Sequence, residues 1–296
     1  MTTSDARRAV LIAGPTASGK SARALARAEQ TGGLIVNTDA LQVYDGLALI
    51  TARPGPEDLA RAPHRLYGVV DPATRFSTGD WARAVGRLIS DEPDRELIFV
   101  GGTGLYFDVL INGFADVPDV PSGVVAEAEA MVAGLDRVAR GRLIADKDPL
   151  IAARLKAPDP QRVVRALAVL LATGQSLAQF QDEGQEGLLT GWQIEREVLD
   201  LDRAVLRQRI DTRFRAMVAA GALDEVRAFR ARGLDPSLPV MKAIGLSDLG
   251  DYLDGALTLE AAIERAVIAS RQYAKRQRTW FRGRMGDWPR VDPLAD

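Results

Sequence analysis

The stretch Gly14-Pro15-Thr16-Ala17-Ser18-Gly19-Lys20-Ser21 places glycines at its first and sixth positions and follows the second with a lysine and a hydroxyl residue. That is the spacing of a phosphate-binding loop. Glycines at these two places let the backbone curl so that successive N–H groups point inward, and a helix opening near Lys20 aims its positive end at the same spot. Lys20 would contact terminal phosphate oxygens, and Ser21 would give its hydroxyl to magnesium. The ligand class is therefore a small molecule carrying a diphosphate or triphosphate.

The loop by itself does not decide what happens to the phosphate. Nucleotide hydrolases that share this ATP-binding motif usually hold magnesium with an acidic residue at the end of another apolar strand. Here the best candidate strand, Leu97-Ile98-Phe99-Val100, runs into Gly101-Gly102-Thr103-Gly104 and carries no carboxylate there. Asp39, after Leu34 to Thr38, is the acid that a parallel sheet brings near the loop. It could ligate magnesium or take a proton from a substrate held against the phosphates; the plainer role is a helix N-cap. Thr103 offers a hydroxyl that could stabilise charge developing on a bridging phosphate oxygen, or it could cap the helix that follows.

Two arginine sets complete the chemistry. Arg203, Arg207, Arg209 and Arg213 pair at spacings of four on one helix, and either pair could clamp a diphosphate through forked guanidinium contacts. Arg271, Lys275, Arg278 and Arg282 fall at i, i+4, i+7 and i+11, a single basic stripe that suits a phosphate backbone or a solvated helix face. Between Arg271 and Arg284 there are six basic residues and no acidic one, interleaved with Tyr273, Trp280 and Phe281. A local basic patch of this kind can bind a polyanion although the chain as a whole carries a net charge of −2. His64 reads as a structural hydrogen-bonding residue.

The elements that must position these groups alternate in the first third of the chain. Arg8 to Ala13 reads as a buried strand, Lys20 to Gln30 as a helix, Gly33 to Thr38 as a strand, Leu66 to Val70 as a third strand, Thr78 to Ser90 as a helix and Glu96 to Val100 as a strand. This order predicts an α/β fold: a P-loop parallel-sheet core whose ligands sit beyond the carboxyl ends of the strands, where Gly14, Asp39 and Gly101 would all lie. From about residue 115 the pattern becomes helical. Ile194 to Leu201 returns as a β-like run, followed by helices over Asp202 to Ala220, Leu223 to Arg232 and Leu259 to Arg284. The expected organisation is a core of residues 1–114 and about 190–296, with additional C-terminal helices and a mainly helical insertion over about 115–189.

Composition narrows the remaining options. The 296 residues are 47% hydrophobic and 26% charged, enough for a sizeable buried core. The absence of cysteine excludes disulfides, thiolate zinc sites and cysteine nucleophiles, and the lone histidine excludes a multi-histidine metal site. Any metal is then a hard cation such as Mg2+ held by oxygen ligands. No window approaches the ~20 apolar residues of a membrane span and no signal peptide is apparent, so a cytoplasmic location is expected.

Taken together, the motifs resemble the tRNA dimethylallyltransferases, the tRNA isopentenyltransferases of bacterial type. The matching strings are the loop itself, Asp39-Ala-Leu-Gln-Val-Tyr44, Thr51-Ala-Arg-Pro54, Gly101-Gly-Thr-Gly-Leu-Tyr-Phe107, Asp159-Pro-Gln-Arg-Val-Val-Arg-Ala-Leu167, Thr173-Gly174, Ala243-Ile-Gly245, Arg271-Gln-Tyr-Ala-Lys-Arg-Gln277 and Thr279-Trp-Phe-Arg282. The resemblance implies transfer of a dimethylallyl group from dimethylallyl diphosphate to N6 of the adenosine 3′ of the tRNA anticodon. The loop residues Gly14, Pro15, Thr16, Ala17, Ser18, Gly19, Lys20 and Ser21 would bind the diphosphate leaving group, with Arg209 and Arg213, and no nucleotide would be hydrolysed. Asp39 would be the general base, and Thr103 would hydrogen-bond the bridging oxygen. The tRNA would be met by Asp39, Ala40, Leu41, Gln42 and Thr103, by Gln161, Arg162, Val163, Val164 and Arg165, by Lys242, and by Arg271, Lys275 and Arg278.

This chain departs from the family's pattern at Arg53, where a lysine is usual, at Arg65, where a second histidine is common, and at Leu246, where a tyrosine follows Ile-Gly. No protein partner is implied, and a monomer is expected. The competing readings are an adenylate isopentenyltransferase acting on free nucleotides, a P-loop kinase or NTPase, and a non-catalytic RNA-binding protein.

Overall fold

The computed structural model describes residues 7–115, 117–155, 157–184 and 186–295. Six strands form one sheet among these residues: β1 (Arg8–Ala13), β2 (Leu34–Asn37), β3 (His64–Arg65), β4 (Leu97–Gly101), β5 (Gln193–Leu199) and β6 (Arg290–Val291), in the order β3-β2-β4-β1-β5-β6. Every pairing is parallel. β2 and β4 are buried along their whole length and β1 from Ala9 onward. Their unbroken Val, Ile, Leu and Phe runs follow from having both faces of the central strands covered. Register sets Ala13 beside Gly101 and Asn37 beside Val100, so the loop after β1, the turn after β2 and the turn after β4 leave one edge of the sheet together.

The helices are α1 (Lys20–Thr31), α2 (Pro56–Arg61), α3 (Thr78–Asp91), α4 (Gly104–Asn112), α5 (Ser122–Val132), α6 (Arg137–Lys147), α7 (Pro149–Arg154), α8 (Pro160–Thr173), α9 (Leu177–Asp182), α10 (Arg203–Met217), α11 (Leu223–Arg230), α12 (Leu246–Leu253) and α13 (Leu259–Arg284). The chain divides into two compact units, Met1–Leu110 with Leu189–Asp296, and Ile111–Leu188. The first holds the sheet, the loop and α10 to α13. The second is helical, with its own core of Ala128, Val132, Ile144, Ile151, Val163 and Leu167. In it α8 begins sharply: the Asp159 side chain accepts the N–H groups of Gln161 and Arg162, and Pro160 fills the first helical position.

The third strand is not where the apolar run Leu66 to Val70 suggests. β3 is the two residues before it, paired to Ile35 and Val36. Leu66 and Gly68 take φ of 65° and 61°, which breaks an extended chain. The segment bonds instead to the turn after β2, Leu66 O accepting from Asn37 Nδ2 at 2.9 Å and Gly68 N–H donating to Gln42 O at 2.9 Å. The helix from residue 202 also differs. Regular α10 stops at Met217 and passes through a wide turn, Val218–Ala222, with Gly221 at φ 106°, before α11 begins.

Candidate active site

The loop after β1 folds as the glycine spacing requires. Gly19 sits at φ 95° as the residue before α1, a conformation that L side chains adopt rarely. Ala17 is left-handed as well, at φ 65°, a local strain of the kind that accumulates where a loop is shaped for a ligand. Ser18 is fully buried and its Oγ has no hydrogen-bond partner among the described residues, while Lys20 Nζ donates to Pro15 O at 3.4 Å. Ser21 is exposed at the start of α1.

α10 closes over this loop with one of its two arginine pairs. Arg209 and Arg213 line a cavity of about 460 Å³ with Ala17, Gly19, Lys20 and Ser21. The Arg209 guanidinium stands 3.9 Å from where a Cβ on Gly19 would lie, and Arg213 Nη2 donates to the Thr16 hydroxyl. Arg203 and Arg207 line a different groove, so of the two pairs it is 209/213 that stands at the loop. Burial, reinforced by the nearby Arg213 charge and opposed by Asp39, brings the Lys20 ammonium down to about 8. Burial likewise lowers Arg213, again with Asp39 opposing. Two desolvated cations beside a curled loop, with Asp39 only partly opposing the effect of burial, make an anion site.

Asp39 is held by its neighbours rather than by a helix. Its N–H donates to Asn37 Oδ1 at 2.8 Å, and its Oδ1 accepts Leu41 N–H at 3.0 Å. Asn37 is in turn fixed by the buried Trp81 of α3, whose Nε1 donates to Asn37 O at 3.0 Å. The Asp39 charge raises three tyrosine phenols, Tyr67, Tyr106 and Tyr273, in each case second to burial. These phenols stay protonated around a carboxylate.

Thr103 does not cap α4. Its Oγ1 accepts Ala40 N–H at 3.0 Å, and its own N–H donates to Thr38 O at 3.1 Å. The same hydroxyl also hydrogen-bonds the Tyr273 phenol, which it lowers against the effect of burial, so a ligand oxygen would take the Thr103 proton in competition with Tyr273. The two turns are pressed together: a Cβ on Gly101 would fall 2.3 Å from the Thr38 carbonyl. A second cavity, of about 70 Å³, joins the parts. It is lined by the polar Thr16, Asp39, Thr51, Arg213, Ser270 and Tyr273 and by the apolar Leu41, Ile50, Ile210, Phe214, Met217 and Ile244.

α13 has two working faces, of which the sequence reading used one. Arg271, Lys275, Arg278 and Arg282 line a groove of about 540 Å³ together with Arg203 and Arg207 of α10. The stripe therefore belongs to a two-walled basic groove, which the sequence reading missed because it treated the α10 arginines only as a diphosphate clamp. Arg278 is partly neutralised there by Asp200 at 2.8 Å. The other face carries Tyr273, Gln277 and Trp280 against the loop and the Gly101–Gly104 turn. These three lie in strings that the resemblance rests on, yet nothing in their spacing separates them from ordinary packing residues.

The remaining expected contacts scatter. The Gln42 amide is spent on Thr51 O and Ala52 O, at 2.8 and 2.9 Å. Gln161, Arg162 and Arg165 are exposed on the first turns of α8 and Val164 is half-buried, whereas Val163 is wholly buried in the core of the helical unit and presents no side chain to a ligand. Lys242 is exposed. His64 Nδ1 bonds Ala62 O at 2.8 Å, a structural role. A larger cavity of about 760 Å³ lies between α1 and β5, but its charges pair with protein partners: Arg23 with Glu197, Arg27 with Glu96 and Glu195, Arg196 with Asp287.

Comparison with known proteins follows the same geometry. Residues 42–284 match the family described as IPP transferase. A tRNA dimethylallyltransferase of Methylobacterium radiotolerans is 51% identical, covering 96% of this chain and 93% of its own length. One of Phenylobacterium zucineum is 49% identical, covering 95% and 91%. Among solved structures, the full-length tRNA isopentenylpyrophosphate transferase of Bacillus halodurans superposes with a TM-score of 0.68 at 33% identity, over 97% of this chain and 90% of that one. A eukaryotic dimethylallyltransferase acting on tRNA gives a TM-score of 0.82 at 25% identity, over 98% and 75%.

Proposed function

The chain belongs to the IPP transferase family, and from that premise we propose that it transfers a dimethylallyl group from dimethylallyl diphosphate to N6 of the adenosine 3′ of the tRNA anticodon, releasing pyrophosphate. The observation that carries this reading is the small cavity whose rim joins Thr16 and Arg213, on the diphosphate side, to Asp39 and Tyr273. A P-loop kinase or hydrolase usually needs an acid at the end of a strand such as β4, where Gly101 and Gly102 stand.

The exocyclic amine of adenine is a poor nucleophile because its lone pair is delocalised into the ring. Asp39 takes a proton from N6 as the N6–C1 bond to the dimethylallyl group forms. The C1–O bond breaks, and its electron pair goes to the bridging oxygen, which receives the Thr103 hydroxyl proton as a hydrogen bond. Lys20, Arg209 and Arg213 hold the departing pyrophosphate. The apolar residues that line the cavity, Ile50, Ile210, Phe214, Met217 and Ile244 among them, shelter the allylic carbons from water.

Ser21 is the residue of the loop that would hold Mg2+. Among the described residues no group of three or more His, Asp or Glu side chains could hold a metal, which fits a hard cation bound largely by ligand oxygens. When bound, the ion neutralises diphosphate charge. The target base must leave its stack at a cost of a few kcal/mol, offset by contacts to the anticodon stem-loop. The basic groove of α10 and α13, Lys242 and the first turns of α8 supply them. No helix of the described residues is long and apolar enough to cross a membrane.

The test is mass spectrometry of anticodon stem-loop RNA after incubation with dimethylallyl diphosphate and magnesium. A gain of one dimethylallyl unit on the adenosine supports the reading. Rapid phosphate release from ATP with no prenylated RNA sinks it.

A further inference from the structure

The loop after β1 and the turn after β4 hold opposite ends of one leaving group in the reaction above, so their separation matters as much as their composition. One side chain spans them. Gln277, on α13, is 5% exposed. Its Oε1 accepts the Thr16 N–H at 2.9 Å, and its Nε2 donates to Gly102 O at 3.0 Å. The amide cannot flip, because exchanging its ends would set donor against donor and acceptor against acceptor.

Each anchor is itself next to a working group. The Thr16 hydroxyl accepts from Arg213, and Gly102 precedes Thr103. The approach at Gly102 is so close that a Cβ there would lie 2.0 Å from Gln277 Nε2. Helix α13 thus reaches the site through a residue without a side chain, and no room is left for a substitute contact. A buried amide with both ends satisfied in fixed polarity is a rigid strut.

We propose that Gln277 is a positioning residue for this reaction: it sets the distance between the diphosphate-holding loop and the Thr103 hydroxyl, so that one diphosphate can engage both. The inference rests on the function proposed above. It assigns Gln277 no contact with the reacting atoms. Its effect passes through Thr103, and a misplacement of about 1 Å in such an arrangement costs on the order of a hundredfold in rate.

The experiment compares Gln277→Met, which keeps side-chain volume and removes both hydrogen bonds, with Gln277→Glu, which keeps an acceptor for Thr16 and removes the donor to Gly102. Both are measured for dimethylallyl transfer to the stem-loop and for binding of inorganic pyrophosphate, alone and combined with Thr103→Val. The expected result is a fall in kcat of about tenfold to a hundredfold in both single variants, with pyrophosphate binding within threefold of the unsubstituted protein. In the Thr103→Val background the Gln277 substitutions then add little further loss, as for residues that act as a unit. A residue that only packs would instead lower kcat additively with Thr103→Val. That additivity, or a kcat within twofold in both single variants, overturns the inference. An unsubstituted protein that transfers nothing overturns the underlying reading instead, so the two failures are distinguishable.

Discussion

Thr103 Oγ1 accepts the backbone N–H of Ala40 at 3.0 Å, which ties the turn after β4 to the residue following Asp39. Together with the Thr103 N–H to Thr38 O bond, this fixes the candidate base and the candidate donor to the leaving oxygen relative to each other. Thr103→Val removes the donor and leaves the Ala40 N–H unpaired. Transfer should fall by about a hundredfold to a thousandfold, the usual effect of losing one donor to a developing oxyanion. Thr103→Ser, which retains the hydroxyl, should restore most of it; steady-state kinetics on stem-loop RNA checks both.

Asp39→Asn keeps the shape of the side chain and an oxygen able to accept Leu41 N–H, but abolishes the base. The expected loss in kcat is about a hundredfold or more, with stem-loop affinity by filter binding changed little. A variant that prenylates RNA at the unsubstituted rate would remove Asp39 from the chemistry.

The Lys20 ammonium, brought down to about 8 chiefly by burial, gives pyrophosphate binding a defined pH sense. Below that value the side chain is charged and attracts the anion; above it the charge is lost. Affinity should therefore decline as pH rises through 8. Lys20→Arg keeps its charge throughout, so calorimetric titrations on either side of pH 8 should show a flatter profile for it than for the unsubstituted protein.

The basic groove should bind RNA backbone without influencing the diphosphate. Arg203→Ala combined with Arg207→Ala removes one wall of it. Stem-loop affinity should weaken, and the slope of log affinity against log salt should become shallower by about two, roughly one per lost phosphate contact. Pyrophosphate affinity should be unaffected. Equal salt slopes for the two proteins would place the RNA elsewhere.

Gly101→Ala should destabilise the fold by about 1 to 3 kcal/mol, as overpacking does, because its Cβ would meet the Thr38 carbonyl at 2.3 Å. Chemical denaturation measures the loss. Thr38 and Thr103 lie on the two turns that this contact presses together, so surviving protein should also transfer more slowly.

Much of the sheet edge was legible in sequence, because β1, β2 and β4 are continuous apolar runs and each ends in a chemically distinctive residue: the Gly14 loop, Asp39 and the Gly101–Gly104 turn. The parallel order that brings those ends together follows from alternation of strands and helices. β3 was misplaced because Leu66 and Gly68 adopt left-handed conformations set by hydrogen bonds from Asn37 and to Gln42, and no local pattern encodes those partners. Val163 shows the same limit from another side. Its place in a motif string says nothing of the helical core that encloses it.

Sequence by itself determined the loop and which carboxylate and hydroxyl stand at the sheet edge beside it, since these depend on residue types at short spacings. Tertiary structure decided which arginines stand at the loop and which in the groove. Positions 203, 207, 209 and 213 are alike in sequence, and only the packing of α10 between the loop and α13 turns one pair to the loop and the other to the groove. It also brought Gln277 of α13 to Thr16 of the loop. Their hydrogen bond spans 261 positions in the chain, and its physical basis is the close approach permitted by Gly102, a contact that no spacing within α13 could reveal.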